Sequence, residues 1–371
     1  MSDYKKTPVD QLRLSWDSGS AYDFFVSLEV LHNPDDFGLR ASWAAGVRSR
    51  LPSEERKLLE DIQSFLWVPF HWIHQLPEPK DATSALWSLR QTPPVERMLA
   101  LADCCEMAGF AEVYKKIAER RAWDKGDVEA IREVLNQHEK EKHYLARFLK
   151  GLPRYLDWWT RPEEFGELYL SALQSFYQVF FAEEEKRIAP YLVDALAHAQ
   201  AQAERLNLPD LLVELSQGVH FDESFEATEL VLVPVFWSTP IVMWSKVTPE
   251  TTLFMFGARP EHASLIPGEV IPESMLRSLK ALADPTRLQI LRYLSEENLT
   301  PAQLSRKLRL RAPTVIHHLN TLRLAGLVHL AVDSQGEKRY AARLEAVSGT
   351  FSHMDEFLGS ETQAERELVQ A

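Results

Sequence analysis

The sequence predicts a mainly α-helical protein with small β elements, folded as at least two domains. From about residue 20 to 217, apolar residues recur every three or four positions, which is the spacing of amphipathic helices. Between about 228 and 257, β-branched and aromatic runs alternate with turn residues, which indicates two or three strands. A chain of 371 residues is also too long for one core, since domains usually hold about 100–200 residues.

The composition excludes several classes of protein. With 45% hydrophobic residues the chain can build real cores, so wholesale disorder is excluded. No apolar run approaches the ~18 residues of a membrane span, and the first residues lack the apolar region of a signal peptide. We therefore expect a cytoplasmic protein with no membrane partner. Its two cysteines, Cys104 and Cys105, are adjacent, which suits neither a disulfide framework nor a zinc site, so we expect two small buried side chains.

The N-terminal region, residues 1–258, is interrupted by residues that end or start helices. The predicted breaks lie at Pro52, Pro77, Pro79, Pro93, Pro94, Gly126, Pro153, Pro162 and Pro209. Strands follow in TELVLVPVFW, IVMW and TTLFMFG, and we expect this domain to end in a β-hairpin. The next segment, 259–272, holds three prolines and a glycine, which is typical of a linker.

Two polar segments of the N-terminal region allow alternative interpretations. His71 and His74 are three residues apart and could share a metal ion on one helix face, although such lone pairs are mostly structural. The run EEEKR at 183–187 suits either a solvated face or an ion-pair network with Arg154 and Arg161. The sequence does not distinguish these two alternatives.

Motifs that would carry catalysis are missing from the sequence. Only 14 glycines occur, and none forms the GxGxxG or GxxxxGK[ST] loops that hold phosphates. There is also no GxSxG nucleophile elbow and no HExxH zinc motif. We therefore predict no enzyme activity, no cofactor and no resident metal.

Charge is distributed unevenly along the chain. The net charge is −13, yet residues 271–345 carry 12 basic and 7 acidic side chains, while the flanking segments 1–270 and 346–371 are both acidic. A basic module on an acidic body is typical of DNA binding, because phosphate contacts need Lys and Arg.

The basic module, residues 273–345, begins with two helices that are separated by a signal for a helix end and a new helix start. The first helix carries Leu276, Leu279 and Leu282 on one side. Asp284 then provides an N-cap and Pro285 a first-turn proline for the second helix.

Two further helices and a hairpin complete the module. Thr300 and Gln303 have the capping-box pattern at the start of the third helix. The fourth helix starts near 311–313 and ends at Gly326, with Val315, Leu319 and Leu322 on its inward face. Two alternating stretches around residues 333–336 then predict a β-hairpin.

This order of elements is that of a winged helix-turn-helix. A helix about 10–12 Å across fits the DNA major groove, and its N-terminal residues reach the base edges. The hairpin, or wing, then reaches the neighbouring backbone or minor groove.

The module resembles the ArsR family of bacterial transcriptional regulators. The resemblance is carried by LKALADPTRLQILRYL (279–294), LTPAQLSRKLRLRAPTVIHHLNTLRLAGLV (299–328) and EKRYAARL (337–344). It implies a homodimer that binds operator DNA through two recognition helices, with ligand binding altering the affinity. Metal-sensing members carry thiols on the third helix or His and carboxylate ligands on the last one. Here the third helix has no Cys, and the last segment offers only His353, Asp355 and Glu356, so we expect no metal sensing.

Ten residues of the module are predicted to contact DNA. Arg311, Thr314 and Asn320 suit phosphates or base edges at the start and outer face of the recognition helix. Two of its positions, Pro313 and Ile316, favour apolar contact, for instance with a thymine methyl group. The remaining candidates are His317, His318, Gln335, Lys338 and Arg339. His317 is expected to point outward, whereas His318 either faces DNA or packs against the preceding helix, and Tyr340 is expected to anchor the hairpin in the core.

The N-terminal domain resembles, more weakly, extensions of some large ArsR-type regulators. All ten tryptophans lie before residue 259, and they either line a cavity for an apolar or aromatic effector or simply fill helical cores. We therefore expect a one-component regulator with an unidentified small-molecule effector, whose residues 346–371 form a C-terminal helix and acidic tail. The alternatives are an enzyme, or a protein-docking helical domain, fused to a regulatory DNA-binding tail.

Overall fold

The protein folds as two compact units, seen in a computed structural model. The structure describes residues 9–102, 108–137, 142–217, 219–221, 227–260, 263–267, 272–332 and 338–369. The predictions for Cys104, Cys105 and Gln335 lie outside these residues. Unit 1 comprises Met1–Thr7, Gln11–Ala197 and Phe225–Ala258, and unit 2 comprises Pro8–Asp10, His198–Ser224 and Arg259–Ala371.

Helices dominate the described residues, and short strands form two small sheets. The helices are α1 Ser20–His32, α2 Ala41–Arg48, α3 Ser53–Ile62, α4 Phe70–His74, α5 Ala82–Gln91, α6 Pro94–Ala102, α7 Ala108–Arg120, α8 Lys125–Gln137, α9 Lys142–Trp159, α10 Pro162–Phe176, α11 Ala182–Ala203, α12 Leu208–Leu215, α13 Glu273–Leu282, α14 Pro285–Glu296, α15 Pro301–Leu308, α16 Ala312–Leu324 and α17 Leu344–Val369. The strands are β1 Arg13–Trp16, β2 Val219–Phe221, β3 Glu229–Val235, β4 Met243–Lys246, β5 Thr251–Gly257, β6 Val328–Val332 and β7 Lys338–Ala342. The predicted class, mainly α with small β elements, is confirmed.

Prolines start several helices of unit 1, as predicted, but α9 and α11 continue through Pro153 and Pro190. Pro94 and Pro162 are the first residues of α6 and α10, where the missing N–H costs nothing. The break predicted at Pro153 is wrong, because α9 runs through it. Leu152 and Leu156 on either side are fully buried, and this packing offsets the lost backbone hydrogen bond.

The sheet of unit 1 has the strand order β1-β3-β5-β4. β3 is parallel to both β1 and β5, and β4 runs antiparallel to β5. The two central strands are buried on both faces, which is why their sequences are continuous apolar runs and not alternating ones. The predicted hairpin corresponds to β4 and β5, whereas β3 joins the sheet as a parallel strand.

The charged run 183–187 is only partly the solvated face considered from the sequence, and Arg154 and Arg161 pair instead with Asp61 and Glu164. Glu184 is buried and pairs with Arg187, and it also accepts a hydrogen bond from the indole N–H of Trp237 at 3.1 Å. Glu185 accepts hydrogen bonds from the Ser20 hydroxyl at 2.5 Å and from the Ala82 backbone N–H at 3.0 Å. Glu184 and Glu185 therefore act as internal hydrogen-bond acceptors, whereas Glu183 and Lys186 are exposed.

Unit 2 contains the winged helix-turn-helix. Its core joins side chains from α13 to α16 with those of the two hairpin strands, β6 and β7. Ile290, Leu304, Val315, Leu319 and Leu322 are fully buried in this cluster. The inward face predicted for the fourth helix is thus confirmed.

A third strand joins the hairpin sheet from an earlier part of the chain. β2 pairs parallel with β6, while β6 and β7 pair antiparallel, so the strand order is β2-β6-β7. Next to β2, the Arg343 guanidinium donates a hydrogen bond to the Gln217 carbonyl at 3.1 Å. Unit 2 therefore includes α12 and β2, which lie within the segment predicted to belong entirely to the N-terminal domain.

The segment predicted as a linker, 259–272, contains buried residues where it is described. Ala263, Ser264, Leu265 and Ile266 are each at most 9% exposed. Among the described helices, none is both long enough and apolar enough to cross a membrane.

Candidate nucleic-acid interface

The helix-turn-helix of unit 2 starts at a complete capping box. The Thr300 hydroxyl accepts the Gln303 backbone N–H at 3.2 Å, and the Gln303 side chain accepts the Thr300 backbone N–H at 2.8 Å. Pro301 occupies the first turn, where its missing N–H is harmless. The sequence therefore determines where α15 begins, as predicted.

The turn between α15 and α16 is closed by local hydrogen bonds. Arg309 has φ 55°, a left-handed conformation that ends α15. The Leu310 N–H donates to the Ser305 carbonyl at 3.1 Å, and the Ser305 hydroxyl donates back to the Leu310 carbonyl at 2.5 Å. These contacts set the direction in which the chain enters α16.

The recognition helix α16 separates into a buried face and an exposed face. Val315, Leu319 and Leu322 are fully buried, as noted for the core. The predicted DNA-contacting residues Arg311, Pro313, Thr314, Ile316, His317 and Asn320 are all exposed. Arg311 is the N-cap residue, and its side chain makes no capping hydrogen bond. The exposed face therefore presents a cation, hydroxyl and amide groups and apolar surface at the start of the helix.

An apolar side chain stands out on this exposed face. Ile316 is 41% exposed, although isoleucine is usually buried. An exposed β-branched side chain among polar neighbours suits contact with a thymine methyl group, as proposed from the sequence.

The two adjacent histidines of α16 have different surroundings. His317 is exposed, whereas the His318 side chain is only 14% exposed and its Nδ1 lies 4.0 Å from Oδ1 of Asp284. Burial lowers the pKa of His318, partly opposed by the nearby Asp284 carboxylate. His318 therefore faces the start of α14, which is not the helix that directly precedes α16.

The wing supplies further cations. Lys338 and Arg339 are exposed at the start of β7, across the ladder from Val332 and Ala331. Tyr340 is 5% exposed in the core and pairs through its backbone with Leu299, so the predicted anchor is confirmed.

Two exposed arginines near the turn were missed by the sequence analysis. Arg306 lies in the last turn of α15, and Arg309 lies in the turn itself. The third cation there, Lys307, is held by Glu297 at 2.8 Å and over the Tyr293 ring at 5.3 Å. The three basic residues within 306–309 were the sequence signal that could have indicated DNA contact. The geometry of the turn was needed to place them beside α16.

The two histidines considered as a metal pair have separate partners. The His71 Nε2 lies 3.0 Å from the Ala100 carbonyl, whereas the His74 Nδ1 lies 2.8 Å from the Asp17 carboxylate. Asp17 also accepts hydrogen bonds from Lys80 at 2.5 Å and Tyr22 at 2.8 Å. Over the described residues, no group of three or more His, Cys, Asp or Glu side chains is arranged to hold a metal ion.

The arrangement of α14 to α16 and the β6–β7 hairpin defines a winged helix-turn-helix of the DNA-binding type. Residues 284–329 match the family described as bacterial regulatory protein, arsR family. These residues are therefore an ArsR-family helix-turn-helix domain, carried by a chain with a large helical N-terminal region.

Individual relatives match a small part of the chain. An uncharacterized HTH-type transcriptional regulator of Methanocaldococcus jannaschii is 40% identical over 57 residues, which is 15% of this chain and 64% of that protein. Among solved structures, an ArsR-like transcriptional regulator from Rhodococcus sp. RHA1 is 26% identical, with 26% of this chain and 87% of that chain covered and a TM-score of 0.22. An ArsR family transcriptional regulator is 23% identical, with 26% and 94% covered and a TM-score of 0.21.

Proposed function

We propose that the protein is a DNA-binding transcriptional regulator that reads operator DNA through α16. The observation that supports this most strongly is the division of α16 into two faces. Its apolar face is buried in the core, while six predicted contact residues are exposed on the other face.

The geometry suits major-groove insertion. The first turn of α16 presents Arg311, Pro313 and Thr314 toward a partner, where phosphates and base edges would lie. Ile316, His317 and Asn320 follow along the same exposed surface. In the wing, Lys338 and Arg339 would contact the backbone beside the groove, and Gln335 is proposed as their neighbour from the sequence.

We further propose that the regulator is a homodimer formed through α13 and α17. Leu276, Leu279 and Leu282 of α13 are only half-buried, and three apolar side chains of α17 are exposed at seven-residue spacing. Those three are Leu344, Phe351 and Leu358, at 56%, 48% and 55% exposure. A second copy that covers them would place two α16 helices on one duplex, about 34 Å apart or a multiple of that distance.

Salt-dependent DNA binding tests the proposal. The full-length protein is titrated into duplex DNA taken from the region upstream of its own gene, at several salt concentrations. Arg311→Ala and Lys338→Ala are expected to weaken binding and to reduce the salt slope by about one each. Arg132→Ala removes an arginine of α8 in unit 1, whose side chain is 42% exposed and pairs with Glu129, and serves as the control.

Two results would contradict this function. One is unchanged affinity at low salt for both variants, which would remove these residues from any interface. The other is the absence of salt-dependent binding to duplex DNA of any sequence.

We also propose that the N-terminal region senses a small molecule. Binding of the small molecule would shift the population of conformations toward one spacing of the two recognition helices. The protein would then act in the cytoplasm without a resident metal or cofactor.

A further inference from the structure

The turn between α15 and α16 places an arginine in a backbone conformation that suits glycine. Arg309, which ends α15, has φ 55° and ψ 37°, in the left-handed region. A residue with a Cβ is crowded against the following carbonyl oxygen in this region, whereas glycine is not. The turn would therefore be more stable with glycine at this position.

A second arginine occupies the position that caps α16. The preceding helices α14 and α15 begin at Asp284 and Thr300, whose side chains accept a backbone N–H of the first turn. Arg311, the N-cap residue of α16, forms no such bond, because a guanidinium has only donors. A serine, threonine or aspartate at this position would stabilise the start of the helix.

The residue between the two arginines is anchored to the protein. Leu310 exchanges two hydrogen bonds with Ser305, and its half-buried side chain packs against the core of unit 2. Arg309 and Arg311 lie on either side of this fixed residue, and both side chains are exposed. Their Cα atoms are at most about 7 Å apart, since each residue spans no more than about 3.6 Å. Two cations are thus held close together at the start of α16.

Neither arginine uses its charge to hold the described part of the chain together. Within the described ranges, no hydrogen bond or ion pair involves the side chain of Arg309 or Arg311. A left-handed conformation alone does not indicate a binding site, because Arg121 in unit 1 also adopts one, with φ 58°. The guanidinium of Arg121, however, pairs with Glu163. The combination of a left-handed backbone and an exposed, unpaired cation therefore distinguishes Arg309.

We infer that Arg309 binds a DNA phosphate beside the groove that α16 enters. A guanidinium donates two parallel hydrogen bonds to a phosphate group, and exposed cations beside a recognition helix meet the backbone of the duplex. The turn thus keeps arginine at positions 309 and 311 for DNA contact, although glycine and a capping residue would make the fold more stable. This inference rests on the proposed function and deepens it, because it adds Arg309 to the interface and sets DNA binding against stability.

Arg309→Gly separates the two effects in the full-length protein. Removal of the left-handed side chain should slow hydrogen exchange of the α15 and α16 amides by about three- to fivefold, because local opening becomes less favourable. Loss of one phosphate contact should reduce the salt slope by about 0.9 per bound chain and lower the affinity for duplex DNA about five- to tenfold at ~0.1 M salt. The duplex is again the region upstream of the gene. Unfolding cannot explain weaker binding by a variant that is more stable.

Three further variants assign the result to the charge. Arg309→Lys keeps the cation and the backbone conformation, so it should retain the wild-type salt slope and exchange rates. Arg311→Ser removes the second cation and adds a cap, so it should resemble Arg309→Gly in both measurements. Gln217→Gly is the matched control, because Gln217 is an exposed, uncharged residue of unit 2 with φ 56°. It relieves the same kind of backbone conformation and should leave DNA binding unchanged.

The outcomes distinguish this inference from the proposed function. An unchanged salt slope for Arg309→Gly, or faster exchange of its α15 and α16 amides, would overturn the inference while wild-type binding stood. Equal weakening by Gln217→Gly would also overturn it, since the loss would then follow the backbone and not the charge. Absence of salt-dependent binding by the wild-type protein would contradict the regulator itself.

Discussion

The Nδ1 atom of His318 in the recognition helix lies 4.0 Å from Oδ1 of Asp284, the residue that caps α14. Oδ1 of Asp284 accepts the Arg287 backbone N–H at 2.9 Å, so one carboxylate both starts α14 and faces α16. His318 is thereby directed toward the protein, while its neighbour His317 is exposed.

This relationship predicts a pH effect on the anchoring of α16. Burial lowers the pKa of His318 in the folded state below its ordinary value of 6.5. Below about pH 6.5 the unfolded chain therefore binds a proton at His318 more readily than the folded chain does. The contribution of His318 to the free energy of unfolding is thus present above pH 6.5 and is lost as the pH falls. Hydrogen exchange of peptides covering α16, corrected for intrinsic rates, should show more opening at pH 5.5 than at pH 7.5.

Substitution identifies the group responsible. His318→Gln should remove most of that pH dependence, whereas His317→Gln, the matched control, should preserve it. If both variants kept the wild-type dependence, His318 would not be its source.

Much of the DNA-binding module could be predicted from the sequence because its signals are local. The cap at Asp284, the capping box at Thr300 and the inward spacing of Val315, Leu319 and Leu322 each depend on residues within a few positions of one another. Such signals act through side-chain hydrogen bonds and helix periodicity, which a single sequence contains.

The parts that escaped prediction depend on pairing over long sequence distances. β1 is four residues long and pairs with β3 more than 200 positions later, and β2 pairs with β6 about 110 positions away. Short strands show little periodicity in their sequence. Parallel partners are also not connected by a hairpin turn, so no local sequence signal indicates their pairing. The orientation of His318 also depended on a neighbour in another helix, which is why the sequence left it open.

The capping box of α15 should contribute measurably to local stability. Thr300→Ala removes the acceptor for the Gln303 N–H and is expected to cost about 1 kcal/mol of the free energy of opening α15. Thr300→Ser keeps the oxygen and should cost much less. Hydrogen exchange of the α15 amides measures both, and equal losses in the two variants would assign the effect to the methyl group instead.

A second pH effect should come from the core of unit 1. Asp23 is fully buried, and Oδ1 accepts the backbone N–H groups of Phe236 and Trp237 at 2.9 and 2.8 Å, while Oδ2 has no partner. Burial raises its pKa from 3.8 to about 7, against the opposing effect of those two hydrogen bonds. Between these values the folded chain binds the extra proton, so stability falls as the pH rises from about 4 to 7.

Asp23→Asn should remove this dependence. The amide keeps an oxygen for the two N–H groups but cannot ionise. The free energy of unfolding of the variant, relative to that of the wild type, should therefore rise by on the order of 4 kcal/mol between pH 4 and pH 8. Denaturant unfolding at both pH values measures the difference. A difference that does not vary with pH would show that Asp23 ionises in the fold as readily as it does in water.

The exposed apolar stripe of α17 allows a direct test of the proposed homodimer. Leu344, Phe351 and Leu358 recur every seven residues, which keeps them on one side of the helix, and each is about half exposed in a single chain. Phe351→Glu places a charge at the centre of this stripe, where a partner would have to bury it without a counter-ion. The variant should therefore be monomeric by light scattering at concentrations where the wild-type protein is dimeric.

The loss of the dimer should also appear in DNA binding. A monomer can engage only one half-site, so Phe351→Glu should weaken binding to a two-half-site duplex much more than binding to a single half-site. Ser352→Glu adds the same charge one position later, about 100° around the helix, and is the matched control. If Phe351→Glu stayed dimeric with a native circular dichroism spectrum, the two copies would have to meet through another surface, because a glutamate cannot be buried at the centre of an apolar contact without cost.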